Sequence, residues 1–276
     1  MKIDLIDNDF NFKVNRFLFY SGFLYLINLE WFLRHSQYPK SLYLPQGLFS
    51  LLQEPLFLPD PMIFTLNYVW IFTGFLAALG ILYRSAATIF CIISVFAFNV
   101  GHNYGYQTHT YMPLALASMA MAFGGKNKIF LVRFIFVSIF FMAGLSKIRN
   151  SGVDWFLTEN LQNILVRSKI YYHDLHHFAQ KFNLNYILAR DLMLTKIIAF
   201  SAIALELAAP AAILMPRFKN MIVLSLLLMQ IGIYFTILVN FKFYILIYIF
   251  WVDWKFLYDK VIKFFDRYIV RSERNQ

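Results

Sequence analysis

The chain has 276 residues, 60% of them hydrophobic and 14% charged, with 32 Phe and 17 Tyr. A soluble domain is nearer about 45–50% apolar and about 25% charged, so an ordinary water-soluble fold is excluded and the excess must face lipid. The net charge of +10 reads as Lys and Arg gathered on the cytoplasmic side of a membrane protein rather than as a nucleic-acid surface. The single cysteine, Cys91, rules out a disulfide framework and any Cys-x-x-Cys redox or zinc site.

Met1 to Asn11 carries Asp4, Asp7 and Asp9 against Lys2. It lacks the basic start and small-residue cleavage site of a signal peptide, so it is expected to be retained. Apolar runs then follow at Phe17–Phe32, Met62–Leu82, Ala86–Val100, Thr108–Phe123, Ile129–Ser146, Thr195–Met215, Met221–Val239 and Phe241–Leu257. They are continuous rather than alternating, which excludes a β-barrel. The predicted fold class is therefore all-α: one polytopic transmembrane bundle of about eight spans filling residues 1–276.

With the N-terminus placed in the cytoplasm, the cytoplasmic segments hold Lys13, Arg16, Arg84, Lys126, Lys128 and the basic tail, whereas the opposite short loops hold Arg34, Lys40 and Lys242. This asymmetry predicts eight spans with both termini inside. The long fifth loop, Ile148 to Leu194, has apolar residues at helical spacing over Val153–Val166, among them Trp155, Leu161 and Ile164, and again over His173–Phe182. Amphipathic interfacial helices are expected there and in the Pro-rich stretch His35–Pro61, together roofing a cavity. From Lys255 the tail sets Leu257, Val261, Phe264, Phe265 and Tyr268 against Lys260, Lys263 and Arg267. That is the pattern of a helix lying on an anionic inner leaflet, with membrane lipid as its partner.

Polar groups in or at the mouths of spans are informative, because an unpaired one costs several kcal/mol. They are His102, Asn103, His109, Lys147, Glu206 and Gln230. Lys147, at the end of its apolar run, either snorkels to the headgroups or is held in a partly dry pocket where the free amine acts as a base. Glu206 sits mid-run among small residues, where an interhelical hydrogen bond is the plain alternative to a chemical role. His173, His176 and His177 fit the His-x-x-His-His box of membrane di-iron desaturases and share one helix face. Those enzymes carry several such boxes, and this chain, with six His in all, forms no second one. No metal is expected, and a metal oxidoreductase is kept as a distant alternative.

Four stretches in order carry a family resemblance: Gly80-Ile-Leu-Tyr-Arg84, Gln107-Thr-His-Thr-Tyr-Met-Pro113, Ala143-Gly-Leu-Ser-Lys147 with Asp154-Trp155, and Leu205-Glu-Leu207. Together they resemble the vitamin K-dependent gamma-carboxylase superfamily, and within it the bacterial horizontally transferred transmembrane (HTTM) branch, over about Met62 to Trp254. The resemblance implies that Lys147 is the base that deprotonates a reduced, vitamin K-like quinone, with His109 and Glu206 beside it. It also implies a quinone pocket formed with His102, Asn103, Tyr111, Trp155 and Gln230, and O2 and CO2 as co-substrates of a true carboxylase. Two departures stand out. Thr108 replaces the family's Asn, and Gln230 takes the place of an expected His. The family's lumenal β-rich region has no counterpart after Trp254, so no propeptide-binding domain is expected. The resemblance thus points to quinone-using modification of a peptide or small molecule at the outer face. The alternative is a non-enzymatic membrane protein that matures or binds a secreted peptide or a lipid. In either case Lys147, His109 and Glu206 are expected to converge on one cavity under Trp155, with Glu206 about three helical turns below Lys147.

Overall fold

The structure, a computed structural model, describes residues 9–45, 54–104, 111–171, 184–237 and 244–273. Every regular element among them is helical. Among the described residues, four helices are long and apolar enough to cross a membrane: Asp60–Leu79, Tyr83–His102, Gly125–Ser151 and Pro216–Thr236. Twenty helical residues span about 30 Å, the thickness of a bilayer's hydrocarbon core, and these helices mark the chain as a membrane protein. The chain divides into two compact units, residues 1–132 with 243–276, and residues 133–242.

The first unit holds α1 (Asp9–Leu26), α2 (Leu29–Arg34), α3 (Asp60–Leu79), α4 (Tyr83–His102), α5 (Met112–Phe123) and the start of α6 (Lys128–Ser151). It resumes with α13 (Ile245–Tyr248) and α14 (Trp254–Glu273). Its core is aromatic. Trp70 stacks on Phe90 at 5.0 Å, Phe23 and Tyr20 meet the same ring edge-on at 5.0 and 5.2 Å, and Phe32 meets Phe98 at 5.0 Å. A Cβ on Gly74 would stand 2.7 Å from the Phe90 ring, so only glycine lets α3 and α4 approach this closely. Two buried pairs tie the helices together: Trp70 Nε1 donates to Ser94 Oγ at 2.8 Å, and Tyr20 and Ser118 hydroxyls share a 2.9 Å bond.

Cations collect at one end of this unit. Arg16 on α1 donates to the carbonyls of Ala78 and Leu79 at 3.3 and 3.2 Å, capping α3, and lies 5.3 Å from the Tyr83 ring at the start of α4. The Lys128 ammonium, at the start of α6, sits 3.4 Å from the Phe12 ring of α1. Lys13, Arg84, Lys126 and Lys255 are exposed at the same end. At the opposite end Arg34 pairs with Glu30 and Asp60, and Lys40 with Glu54. Gly80 ends α3 at φ +83, a left-handed conformation glycine adopts without penalty, and Ile81 N closes the cap on Leu76 O at 2.9 Å.

The second unit holds the rest of α6, then α7 (Asp154–Leu157), α8 (Asn160–Tyr171), α9 (Leu184–Arg190), α10 (Leu192–Ala208), α11 (Ala211–Leu214) and α12 (Lys219–Ile237). Gln162 on α8 donates to Ala189 O on α9 at 2.6 Å, and Phe156 on α7 meets Phe200 on α10 at 5.3 Å.

Several apolar runs that look continuous in the sequence are interrupted. The first breaks before α2, where Asn28 leaves the helix and its side chain accepts from Trp31 N at 3.1 Å. The sixth breaks at Pro210, which has no N–H to continue α10. In the last, a 3-10 turn at Ile249–Trp251 and an extended Val252 separate α13 from α14. Asp253 then caps α14, its Oδ1 accepting from Phe256 N at 3.1 Å. The described part of the His35–Pro61 stretch forms 3-10 turns rather than an amphipathic α-helix. It is tied down by Gln37, which donates to Leu58 O and Asp60 Oδ1. Its prolines remove the donors an α-helix needs. The helix expected over Val153–Val166 is likewise split at Thr158, whose backbone is extended.

Candidate functional site in the second unit

Lys147 lies on α6 and Glu206 in the last turn of α10. Their helices touch because residue 144, one turn before Lys147, is glycine. A Cβ there would stand 3.0 Å from Glu206 Cβ and 3.3 Å from Leu207. Across that contact the Lys147 ammonium donates to both carboxylate oxygens, at 2.5 Å to Oε1 and 2.6 Å to Oε2. The two sides of the pair differ in exposure. The Glu206 side chain is 5% exposed and the Lys147 side chain 27%. The Trp155 ring lies 5.8 Å from the same ammonium.

The pair borders a cavity of about 580 Å³ inside the second unit. Its walls come from α7 and α8 (Trp155, Leu161, Ile164), α10 (Ala202, Leu205) and α12 (Ile233), with Ser201, Ser225 and Thr236 as neutral polar groups. Lys147 and Glu206 are the charged side chains lining it. Ligand cavities run from about 300 to 1,000 Å³, mostly apolar with a few placed polar groups, and this one has that form. Gly232 on α12 also lines it, and a Cβ there would meet nothing within 4 Å.

The structure therefore brings Lys147, Glu206 and Trp155 together. Gln230 is buried on α12 and does not line the cavity. His102, Asn103 and Tyr111 belong to the first unit. There Asn103 O accepts from Leu44 N at 2.6 Å, and Tyr111 packs on Phe32 and Phe98 at 5.0 and 5.5 Å. His109, His173, His176 and His177 lie outside the described residues. Among the described residues no three His, Cys, Asp or Glu side chains are grouped to hold a metal ion.

The depth read from the run lengths is corrected. Glu206 is not three turns below Lys147 but level with it. Helix α6 continues past Lys147 to Ser151, so Lys147 is not at the end of its helix, and α10 stops at Ala208, so Glu206 is not in the middle of one. The sequence reading assigned Gly144, within the Ala143–Lys147 stretch, no packing role, and Gly232 none at all. The first could have been found as the glycine one turn from the only lysine of its apolar run. The second has no local signal. A scan against protein-family models matches none to this chain, and searches of the curated proteins and of the solved structures return no similar one.

Proposed function

We propose that the second unit binds a largely apolar molecule in its cavity and recognises that molecule's polar end with the Lys147–Glu206 pair. The cavity itself carries this reading: about 580 Å³ of mostly apolar space with, among the described residues, one charged pair on its wall. The resemblance to the gamma-carboxylase superfamily names the ligand class as a reduced quinone, and the residues present fit it. An aromatic ring system matches Trp155 and the aliphatic walls, and a hydroxyl or carbonyl matches Lys147.

A reduced quinone, when bound, supplies phenolic protons and reducing electrons. An ammonium has three N–H donors and Glu206 engages it through two oxygens, so one donor is left for a ligand oxygen. For Lys147 to act as a base, its proton must first pass from Nζ to Glu206 Oε. That transfer leaves a neutral amine beside a neutral acid, a state that an apolar surrounding favours over two charges. The Lys147 amine then takes the ligand proton, while the α7 and α8 side chains exclude water. With O2 and CO2 as co-substrates, the outcome is modification of a peptide or small molecule at the outer membrane face.

The bidentate Lys147–Glu206 contact favours a second reading as well. A lysine already neutralised by a carboxylate suits a non-enzymatic membrane protein that holds a lipid or helps mature a secreted peptide. Both readings keep the eight-span arrangement with interfacial helices and both termini on the cytoplasmic side of an inner membrane. The cations gathered at one end of the first unit support that orientation. Reporter fusions after Asn127 and at the C-terminus should read cytoplasm, and one near Asn160 should read outside.

The decisive experiment uses Gly232→Leu, which puts a side chain into the cavity where a Cβ meets nothing within 4 Å, beside Lys147→Met. Reconstituted protein is titrated with menaquinol-class quinones, and its co-purified lipids are identified by mass spectrometry. Gly232→Leu should abolish binding with the fold intact. Lys147→Met should weaken binding through the lost donor and, if the protein is an enzyme, abolish turnover. Unchanged binding in Gly232→Leu would sink the proposal.

A further inference from the structure

We propose that α14 is a surface anchor that seats its apolar face in an anionic lipid leaflet at the basic end of the first unit. It does not depend on what fills the cavity of the second unit. Leu257, Val261, Phe264 and Phe265 fall at i, i+4, i+7 and i+8, a stripe along one side of the helix. All four are exposed, Phe264 to 67%. Phe10 covers part of Tyr258 at a ring distance of 5.3 Å, which leaves this stripe open. Lys263 falls on the other side, Lys260 and Arg267 flank the stripe along one edge, and Arg271, fourteen residues on from Leu257, falls in line with it near the end of the helix. A helix with this many charges does not span a bilayer, and α14 is not among the four helices apolar enough to do so. An apolar stripe bordered along one side by cations is the pattern of a helix lying in the plane of the interface.

What covers the stripe follows from where α14 starts. Its first turn is fastened to the first turns of α1. Trp254 Nε1 donates to Asn15 Oδ1 at 2.7 Å, Lys255 N donates to Asn11 Oδ1 at 2.8 Å, and Asn11 Nδ2 donates to Asp253 Oδ1 at 3.2 Å. These bonds set α14 at the end of the bundle where Lys13, Arg16, Arg84, Lys126 and Lys128 collect. That end adjoins anionic headgroups if it follows the usual enrichment of Lys and Arg at the cytoplasmic leaflet. The helix therefore leaves the bundle at the level of the lipid surface, with its own cations complementing that surface and its apolar stripe available to the acyl boundary. A second copy of the chain is the competing occupant. It would place the clustered cations of two chains against one another, which like-charge repulsion opposes.

The full-length protein tests this. Cys91, buried, is changed to Ser, and a polarity-sensitive dye is attached at Leu257→Cys, Phe264→Cys or Lys263→Cys. Each is reconstituted in vesicles of phosphatidylcholine alone or mixed with phosphatidylglycerol. Dyes at 257 and 264 should shift to the blue in the mixed vesicles and be quenched by spin-labelled lipid, while the dye at 263 stays in water. Each lysine neutralised among Lys255→Gln, Lys260→Gln and Lys263→Gln should weaken seating about fivefold, and high salt should act in the same direction. Equal shifts in neutral and anionic vesicles would overturn the role of charge. A shift that depends on protein-to-lipid ratio and resists the lipid quencher would assign the stripe to a second copy. Dyes at 257 and 264 that stay in water would remove the anchor altogether.

Discussion

Removing one member of the Lys147–Glu206 pair at a time reads the energetics of the site directly. Lys147→Met keeps an apolar stem and deletes the ammonium, leaving a carboxylate that is 5% exposed without its cation. Breaking a buried pair from one side costs about 3–5 kcal/mol. Glu206→Leu leaves an ammonium whose side chain is 27% exposed and can turn toward water, so about 1–3 kcal/mol is expected, the range for a polar group left partly satisfied. The double variant Lys147→Met/Glu206→Leu replaces both charges with apolar groups of similar size and should return to within about 1 kcal/mol of the parent. The coupling between the positions is then at least about 3 kcal/mol. Denaturant unfolding in detergent, followed by helical circular dichroism, measures all four corners of the cycle. If Lys147→Met costs less than about 1 kcal/mol, as an exposed pair would, or if the two single losses simply add in the double variant, the site is not the dry pair described above.

Three further outcomes are expected. Gly144→Val forces a branched side chain into a gap where a Cβ already meets Glu206 Cβ at 3.0 Å, and should destabilise by about 1–3 kcal/mol, while Gly232→Val, which faces open space, should not. The same unfolding assay separates them. Gly80→Ala should cost about 1 kcal/mol or more from its left-handed backbone alone, with Arg16 displaced from the α3 carbonyls, and thermal melting should show the loss even where no ligand is bound. His35 is buried beside the Trp31 carbonyl, its Nδ1 2.8 Å from that oxygen, and burial holds its pKa below the usual 6.5. The folded state therefore resists protonation that the unfolded chain accepts. Stability should fall as pH drops below about 6.5 and level off once the lowered folded value is passed. His35→Gln should remove this arm of the profile, and an unchanged profile would refute it.

The sequence made Lys147 and Glu206 legible for one physical reason: a charge inside an apolar run is expensive, so it must have a partner or a purpose. Their convergence on one cavity was expected, but the direct pairing was not legible, because it depends on Gly144 letting two helices touch. Depth was misjudged for a related reason. Run length shows where apolar residues stop, whereas a helix ends where a cap or a proline ends it. Lys147 sits inside α6, and Pro210 cuts α10 short just past Glu206. Asn28, Pro210 and Asp253 are ordinary helix-ending residues, visible in the sequence but hidden within hydrophobic stretches. The role given to Trp155 and the α8 side chains as walls over a cavity could be read from helical spacing alone. Gln230, matched to a histidine position, turned out to be buried and away from that cavity.

The bonds from Asn11 and Asn15 to the start of α14 join residues 239 to 244 positions apart. The whole second unit lies between them along the chain. During synthesis, residues 133–242 emerge while the first unit still lacks its closing helices. The second unit is thus free to assemble on local contacts, whereas the first must keep Asn15 and the start of α1 waiting until residues 253–255 emerge. Contacts this distant in sequence form late and slowly. A nascent chain halted before residue 243 should carry a completed second unit and an unsealed first one, the species on which a membrane quality-control protease would act.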